Sequence, residues 1–148
     1  MEVTANSPYN ETVVRVRYQE TDQMGVVYHT NYLVWFEIGR TELIRQFGYS
    51  YRQLEDRGLL LPVVDIHCKY MQPARYDDQV LIRTAIEEFS GPKIVFSYEI
   101  SNKDTGATLA KGSSTHLWVN KEMKRVNIKR AFPSFYHLLV QIHNTERG

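Results

Sequence analysis

The amino-acid sequence predicts an α+β domain, an antiparallel sheet with helices on one face. Three observations carry that prediction. One long segment, Asn31–Phe47, places apolar residues at helical spacing. Four later segments are rich in β-branched and aromatic residues and are separated by turn-forming residues. The order is strand, long helix, four strands and a terminal helix, so helical and strand-forming stretches are segregated rather than alternating.

Taken in order, Thr12–Tyr18 sets Val14, Val16 and Tyr18 on one face and Arg15 and Arg17 on the other, a strand with one covered face. In Asn31–Phe47 the apolar stripe is Tyr32, Phe36, Gly39, Leu43 and Phe47, widened by Leu33, Trp35 and Ile44. Glu37, Arg40, Glu42 and Arg45 take the remaining face. Thr30 or Asn31 is placed to cap the helix and Gly48 to end it. Gly39 costs about 1 kcal/mol of helix propensity against alanine, which implies close approach of another backbone. Tyr51–Asp56 reads as a short second helix.

Leu60–Tyr70, Asp78–Phe89, Lys93–Asn102 and Ala107–Val119 then read as strands, with a turn at Asp104-Thr105-Gly106. Their spacing implies antiparallel hairpins, a meander beside the long helix. Pro133–His143 closes the chain as a short helix with Phe135, Leu138, Leu139 and Ile142 on one side. The outer sheet face keeps apolar residues in alternation, which a second subunit can cover.

The chain has 148 residues, enough for one domain with a sizeable core. Its 18 Lys+Arg and 17 Asp+Glu give a formal charge of +1, which argues against a broad nucleic-acid surface. Cys68 is the sole cysteine, so no internal disulfide or thiolate metal cluster forms. The opening MEVTANSPYN lacks the apolar core of a signal peptide, and no apolar run is long enough to span a bilayer. A cytoplasmic protein without membrane insertion is expected. His67 and His116 fall within strands, and no two histidines share an i, i+4 spacing, so neither metal nor cofactor is expected. A Gly-x-Ser-x-Gly elbow is absent, so that type of serine nucleophile is not supported.

The informative stretch joins the first strand to the long helix. Asp22 stands three residues before Gly25, and the helix starts soon after. A helix N-terminus carries unpaired N–H groups and partial positive charge, which suit a developing oxyanion. A carboxylate beside it supplies a nucleophile or base. Asp in Thr-Asp-Gln-Met-Gly also makes an ordinary Asx turn, and spacing alone leaves both readings open.

The run YQETDQMGVVYHTNYLVWFEIGRTELIR resembles the signature of the 4-hydroxybenzoyl-CoA thioesterase family, the hotdog-fold acyl-CoA thioesterases. The matching positions are Asp22, Gly25, Val26, Val27, Tyr28, His29 and Tyr32. YMQPARYDD, Tyr70–Asp78, resembles the family's strand-turn-strand segment, and the likeness extends over roughly residues 12–130. The resemblance implies a single hotdog domain over 1–148, a five-stranded antiparallel sheet wrapped around one long helix. It implies hydrolysis of an acyl-CoA thioester to a carboxylic acid and CoA, with Asp22 as nucleophile or base. The N–H polarising the carbonyl would belong to His29. The His29 imidazole is left with several roles: bonding the carboxylate, placing water, touching substrate, or none. Gly25, Val27, Tyr28 and Tyr32 are expected against the substrate. Ser90 and Lys93 match the family's phosphate-binding turn, with Arg75 and the basic cluster Lys121, Lys124, Arg125, Lys129 and Arg130 as further candidates. Members form dimers joined sheet edge to edge, often paired into tetramers, with active sites at the interface. Two alternatives accompany this reading: an acyl carrier protein as the acyl donor, and a non-catalytic acyl-CoA-binding protein.

Overall fold

The computed structural model describes residues 7–147. Its elements run β1 (Tyr9–Arg15), α1 (Asn31–Gln46), α2 (Tyr51–Asp56), β2 (Val63–Tyr70), β3 (Gln79–Phe89), β4 (Lys93–Asn102), β5 (Thr108–Leu117), α3 (Ile128–Ala131) and α4 (Pro133–Arg147). A turn of 3₁₀ helix, Tyr18–Glu20, follows β1.

The five strands form one antiparallel sheet in the order β1-β3-β4-β5-β2. β3, β4 and β5 are the expected meander. β2 departs from it: instead of pairing with β3, it crosses to the far edge and pairs with β5. The α1 connection between β1 and β2 thus spans the sheet and lies across its inner face. Phe36 stacks on Tyr98 of β4 with ring centroids 4.1 Å apart. Gly112 of β5 lies beneath Phe36, and a Cβ there would meet the ring at 2.7 Å.

Gly39 is also explained by packing, though not by the expected backbone. A Cβ at this position would collide with the side chains of Thr84 and Ile82 on β3. The two sequence candidates for the helix cap behave differently from expectation. Thr30 occupies the cap position without a side-chain bond, while Asn31 Nδ2 donates to the Glu20 carbonyl at 2.9 Å. Gly48, at φ +95°, ends the helix as its position implied.

β1 stops at Arg15, earlier than alternation implied. Val16 is buried, but Tyr18 is 74% exposed because the chain turns there and drops Glu20 inward. At the opposite edge β2 is open on both faces: Val63, Val64, Ile66 and Tyr70 are exposed. Among the described residues no helix is long and apolar enough to cross a membrane.

Candidate active site

The loop between the 3₁₀ turn and α1 closes on itself as a small hairpin. Thr21 and Val27 form an antiparallel bridge, and the Asp22 N–H donates to the Val26 carbonyl at 2.8 Å. Gly25 makes the tip at φ +78°, where a side chain would be strained. Asp22 Oδ1 accepts the Met24 N–H at 2.8 Å and the Val26 N–H at 3.4 Å, so the carboxylate does make an Asx turn. Oδ2 takes no hydrogen bond from the described residues. One oxygen holds the turn and the other is without a partner among the described residues.

A buried carboxylate two residues earlier anchors this loop to α1. Glu20 is 6% exposed. Its Oε1 accepts the Arg17 N–H at 2.8 Å and its Oε2 accepts the indole N–H of Trp35 at 3.2 Å. Its carbonyl accepts the Tyr28 N–H at 2.8 Å and the Asn31 carboxamide at 2.9 Å. Both ends of the loop are therefore tied through one residue. Sequence reasoning missed Glu20, because a Glu beside Tyr-Gln reads as a solvated charge until Trp35 is known to face it.

The loop's other side is stitched to the turn after β2. The Val27 N–H donates to the Ala74 carbonyl at 2.9 Å, and the Ala74 N–H donates to the Tyr32 hydroxyl at 3.1 Å. Val26 bridges to Arg75. Between these segments opens a cleft of about 330 Å³. Asp22, Val27, His29 and Tyr32 line it, as do Val26 and the stretch Tyr70–Pro73. Tyr70, in the family-like segment Tyr70–Asp78, joins the cleft lining, which its strand position did not indicate. Its hydroxyl donates to the His29 carbonyl at 2.9 Å, and its ring meets Tyr32 edge-on at 5.0 Å. Burial, assisted by the neighbouring Cys68, pushes the Tyr70 phenol up to about 12. Burial also raises the Tyr32 phenol, so both rings are neutral near pH 7.

The start of α1 supplies donors. The N–H groups of His29 and Thr30 find no acceptor among the described residues, which is the normal condition of a first helical turn without a side-chain cap. The His29 ring is exposed and packs against Tyr28 at 4.5 Å, and His29 is among the residues lining the cleft. Tyr28 is 49% exposed and does not line the cleft. Gly25 shapes the loop without lining it either.

Ser90 and Lys93 lie elsewhere. They close the β3–β4 turn on each other, and Lys93 Nζ pairs with Glu88 at 3.2 Å. Gly91 and Pro92 of that turn line a separate hollow of about 220 Å³ with Val126 and Asn127. A single chain thus does not bring Ser90 and Lys93 to the Asp22 cleft. Arg75 is exposed beside the cleft loop, whereas Lys121, Lys124, Arg125, Lys129 and Arg130 are exposed around α3. His67 is exposed on β2, and His116 is fully buried in β5. Cys68 is half-buried, and burial raises its thiol, which disfavours a thiolate nucleophile.

With this geometry in view, the family model that matches is the thioesterase-like superfamily, over residues 16–135. The chain belongs to the thioesterase-like superfamily. YneP of Bacillus subtilis, provisionally named an acyl-CoA thioesterase, is 45% identical over 124 residues, 83% of this chain and 89% of that one. A solved DHNA-CoA thioesterase from Staphylococcus aureus superposes with a TM-score of 0.88 at 34% identity, covering 95% of each chain. A 4-hydroxybenzoyl-CoA thioesterase solved with 4-hydroxybenzoyl-CoA matches with a TM-score of 0.69 at 19% identity, covering 76% of this chain and 84% of that one, and shares the fold. The α+β hotdog architecture of this superfamily member is therefore the one observed above, the sheet wrapped around α1.

Proposed function

We propose that this thioester hydrolase cleaves acyl-CoA at the Asp22 cleft, releasing a carboxylic acid and CoA. The observation supporting that assignment is the divided Asp22 carboxylate, with Oδ1 bound to the turn and Oδ2 without a partner among the described residues, in the same cleft as the start of α1. The thioester carbonyl oxygen is placed against the His29 N–H, where helix-end donors stabilise the oxyanion. Asp22 Oδ2 then has two routes. It attacks the carbonyl carbon, the C–S bond breaks, and CoA leaves as a thiolate that takes a proton from solvent; water next hydrolyses the mixed anhydride. Alternatively, Asp22 removes a proton from a water that attacks the same carbon. Val27 and Tyr32 serve as pocket walls, and Tyr28 as a contact at the rim.

Acid quench of a single turnover followed by mass spectrometry separates the routes. The anhydride route transiently adds the acyl mass to the peptide carrying Asp22, and the general-base route never does. Release of free thiol from a panel of short, long and aromatic acyl-CoAs, measured on wild type and Asp22→Asn, tests the assignment itself. Equal release by both proteins refutes a catalytic Asp22.

The described fold acts, in this reading, as one catalytic domain over 1–148 in the cytoplasm. The exposed apolar residues of the edge strand β2 support a homodimer paired there, or a tetramer of such dimers. In that assembly the β3–β4 turn of a partner is the source of Ser90 and Lys93 contacts to CoA phosphates. The exposed basic cluster around α3 favours one second reading, an acyl group carried by an acidic carrier protein. Hydrolysis of one acyl group presented on both carriers decides between them.

A further inference from the structure

The entry of α1 has no side-chain cap of its own. Thr30 stands at the cap position without a side-chain bond, and Asn31 turns back to the Glu20 carbonyl. The peptides of this turn are therefore held in part by groups outside the helix. Upstream, the peptide that carries the His29 N–H is pinned at Tyr28. The Tyr28 N–H donates to the Glu20 carbonyl at 2.8 Å, and its carbonyl accepts the Asn31 N–H at 3.0 Å. Downstream, the His29 carbonyl accepts the Tyr32 N–H at 3.2 Å and the Tyr70 hydroxyl at 2.9 Å.

Tyr70 is itself held firmly. It is the last residue of β2 and pairs with Ala110 of β5. The next two N–H groups, of Met71 and Gln72, both donate to the Leu109 carbonyl, at 2.8 and 3.2 Å. Its ring meets Tyr32 edge-on at 5.0 Å and the His29 ring edge-on at 6.1 Å. Burial keeps the phenol neutral, so its proton stays available for donation. Cys68 is hydrogen-bonded to the same hydroxyl. Its thiol, which burial also keeps protonated, can donate to the phenol oxygen while the phenol proton goes to the His29 carbonyl.

We propose that Tyr70 is a positioning residue for thioester hydrolysis, its hydroxyl holding the His29 carbonyl so that the His29 N–H stays directed at the substrate carbonyl oxygen. The proposal rests on the thioesterase reading of the Asp22 cleft given above. A rigid peptide plane turns only with the torsions on either side of it. Tyr70 restrains the far side of His29 from the sheet, and Glu20 restrains the near side from the loop. The hydroxyl also polarises the peptide that it touches, whose other end is the Thr30 N–H, unpaired among the described residues. An oxyanion donor is effective when it is held in place before the charge develops. The Tyr70 bond lies at an exposed position, where water replaces a lost partner, so its loss costs aim more than stability.

Tyr70→Phe keeps the ring at the cleft wall and removes the hydroxyl. On an acyl-CoA that wild type cleaves, kcat should fall about tenfold while KM stays within about twofold, because aim rather than binding is lost. Tyr70→Leu, which removes the ring as well, should add a rise in KM. A second readout needs no turnover: a ketone analogue of the acyl-CoA, with CH₂ in place of sulfur and ¹³C at the carbonyl. Its carbonyl resonance should move downfield on binding wild type, and move less on binding Tyr70→Phe. An unchanged kcat in Tyr70→Phe, a loss confined to KM, or an equal downfield shift in both proteins overturns the positioning role and leaves the thioesterase reading standing. Failure of Tyr70→Phe to fold makes the hydroxyl structural and overturns it likewise. If wild type cleaves no thioester but the ketone shift depends on the hydroxyl, the hydrolase reading alone falls. A ketone that shows no downfield shift with wild type removes the donor and the proposal together.

Discussion

The two ends of α1 do opposite jobs. Its first turn is open: His29 and Thr30 are exposed, their N–H groups are unpaired among the described residues, and Asp22 lines a cleft beside them. Its middle and far end are closed, with Phe36, Leu43 and Ile44 fully buried and Gly39 pressed on Thr84. Hydrogen bonds left open are tolerable where water or substrate reaches them, and costly where neither does. One helix can therefore leave one end open because packing along the rest of it holds that end in place.

Substitution should separate the two ends. The largest effect is expected for Asp22→Asn, which keeps the turn-forming oxygen but removes the charge. Thiol release should fall by about 10²–10⁴-fold, while the thermal midpoint moves by less than about 2 °C. A large loss of stability instead would show that the open end is structural after all.

Glu20 ties the cleft loop to the first turns of α1 through Asn31 and Trp35, and Glu20→Ala should affect both readouts. Removing it leaves the Trp35 indole and the Arg17 N–H without their acceptor. Unfolding free energy should drop by about 3 kcal/mol in denaturant titration, and kcat should fall more than KM rises. Glu20→Gln, which retains one acceptor oxygen, should recover part of both. An unchanged kcat in folded Glu20→Ala would break the link between anchor and cleft.

Beneath the closed part, His116 makes stability depend on pH. Burial lowers it to about 4 from an ordinary 6.5. The unfolded chain therefore binds the proton first, and the folded chain resists it. Stability is full above about pH 6.5 and is lost as pH falls toward 4, by up to about 3 kcal/mol. Chemical denaturation across that window, compared with His116→Gln, checks the sign: the variant should show a flatter profile.

The smallest effect is expected for Gly39→Ala. The gain of about 1 kcal/mol in helix propensity opposes overpacking of about 1–3 kcal/mol against Thr84 and Ile82. A net loss of about 1 kcal/mol in denaturant titration, with kcat unchanged, would sharpen the contrast with Asp22.

Legibility in the sequence followed the range of each interaction. The acid, the glycine and the helix start were legible because all lie within one loop, and Asx turns and helix termini are local chemistry. α2 and β4 matched their expected bounds because a capping box and clean alternation are local as well. Glu20 was not legible, since its acceptor role depends on Trp35, fifteen residues later. Tyr70 was not either, since its bond to His29 spans forty-one residues. The helix cap was misread because Asn31 turned back to Glu20 rather than to its own helix.

By itself, then, the sequence determined the α+β class, the long helix and its stripe, and a carboxylate poised at a helix start. These follow from periodicity and from turn chemistry, which act over a few residues. Tertiary structure alone decided that β2 crosses to β5, that Gly39 meets side chains rather than backbone, and that the Ser90–Lys93 turn lies away from the Asp22 cleft within one chain. It also decided which polar groups are buried together, as Arg40 and Tyr51 are. The physical reason is that burial and pairing are properties of a packed whole. Residues far apart in the chain compete for the same space, and the winner is set by the sum of contacts rather than by any one segment.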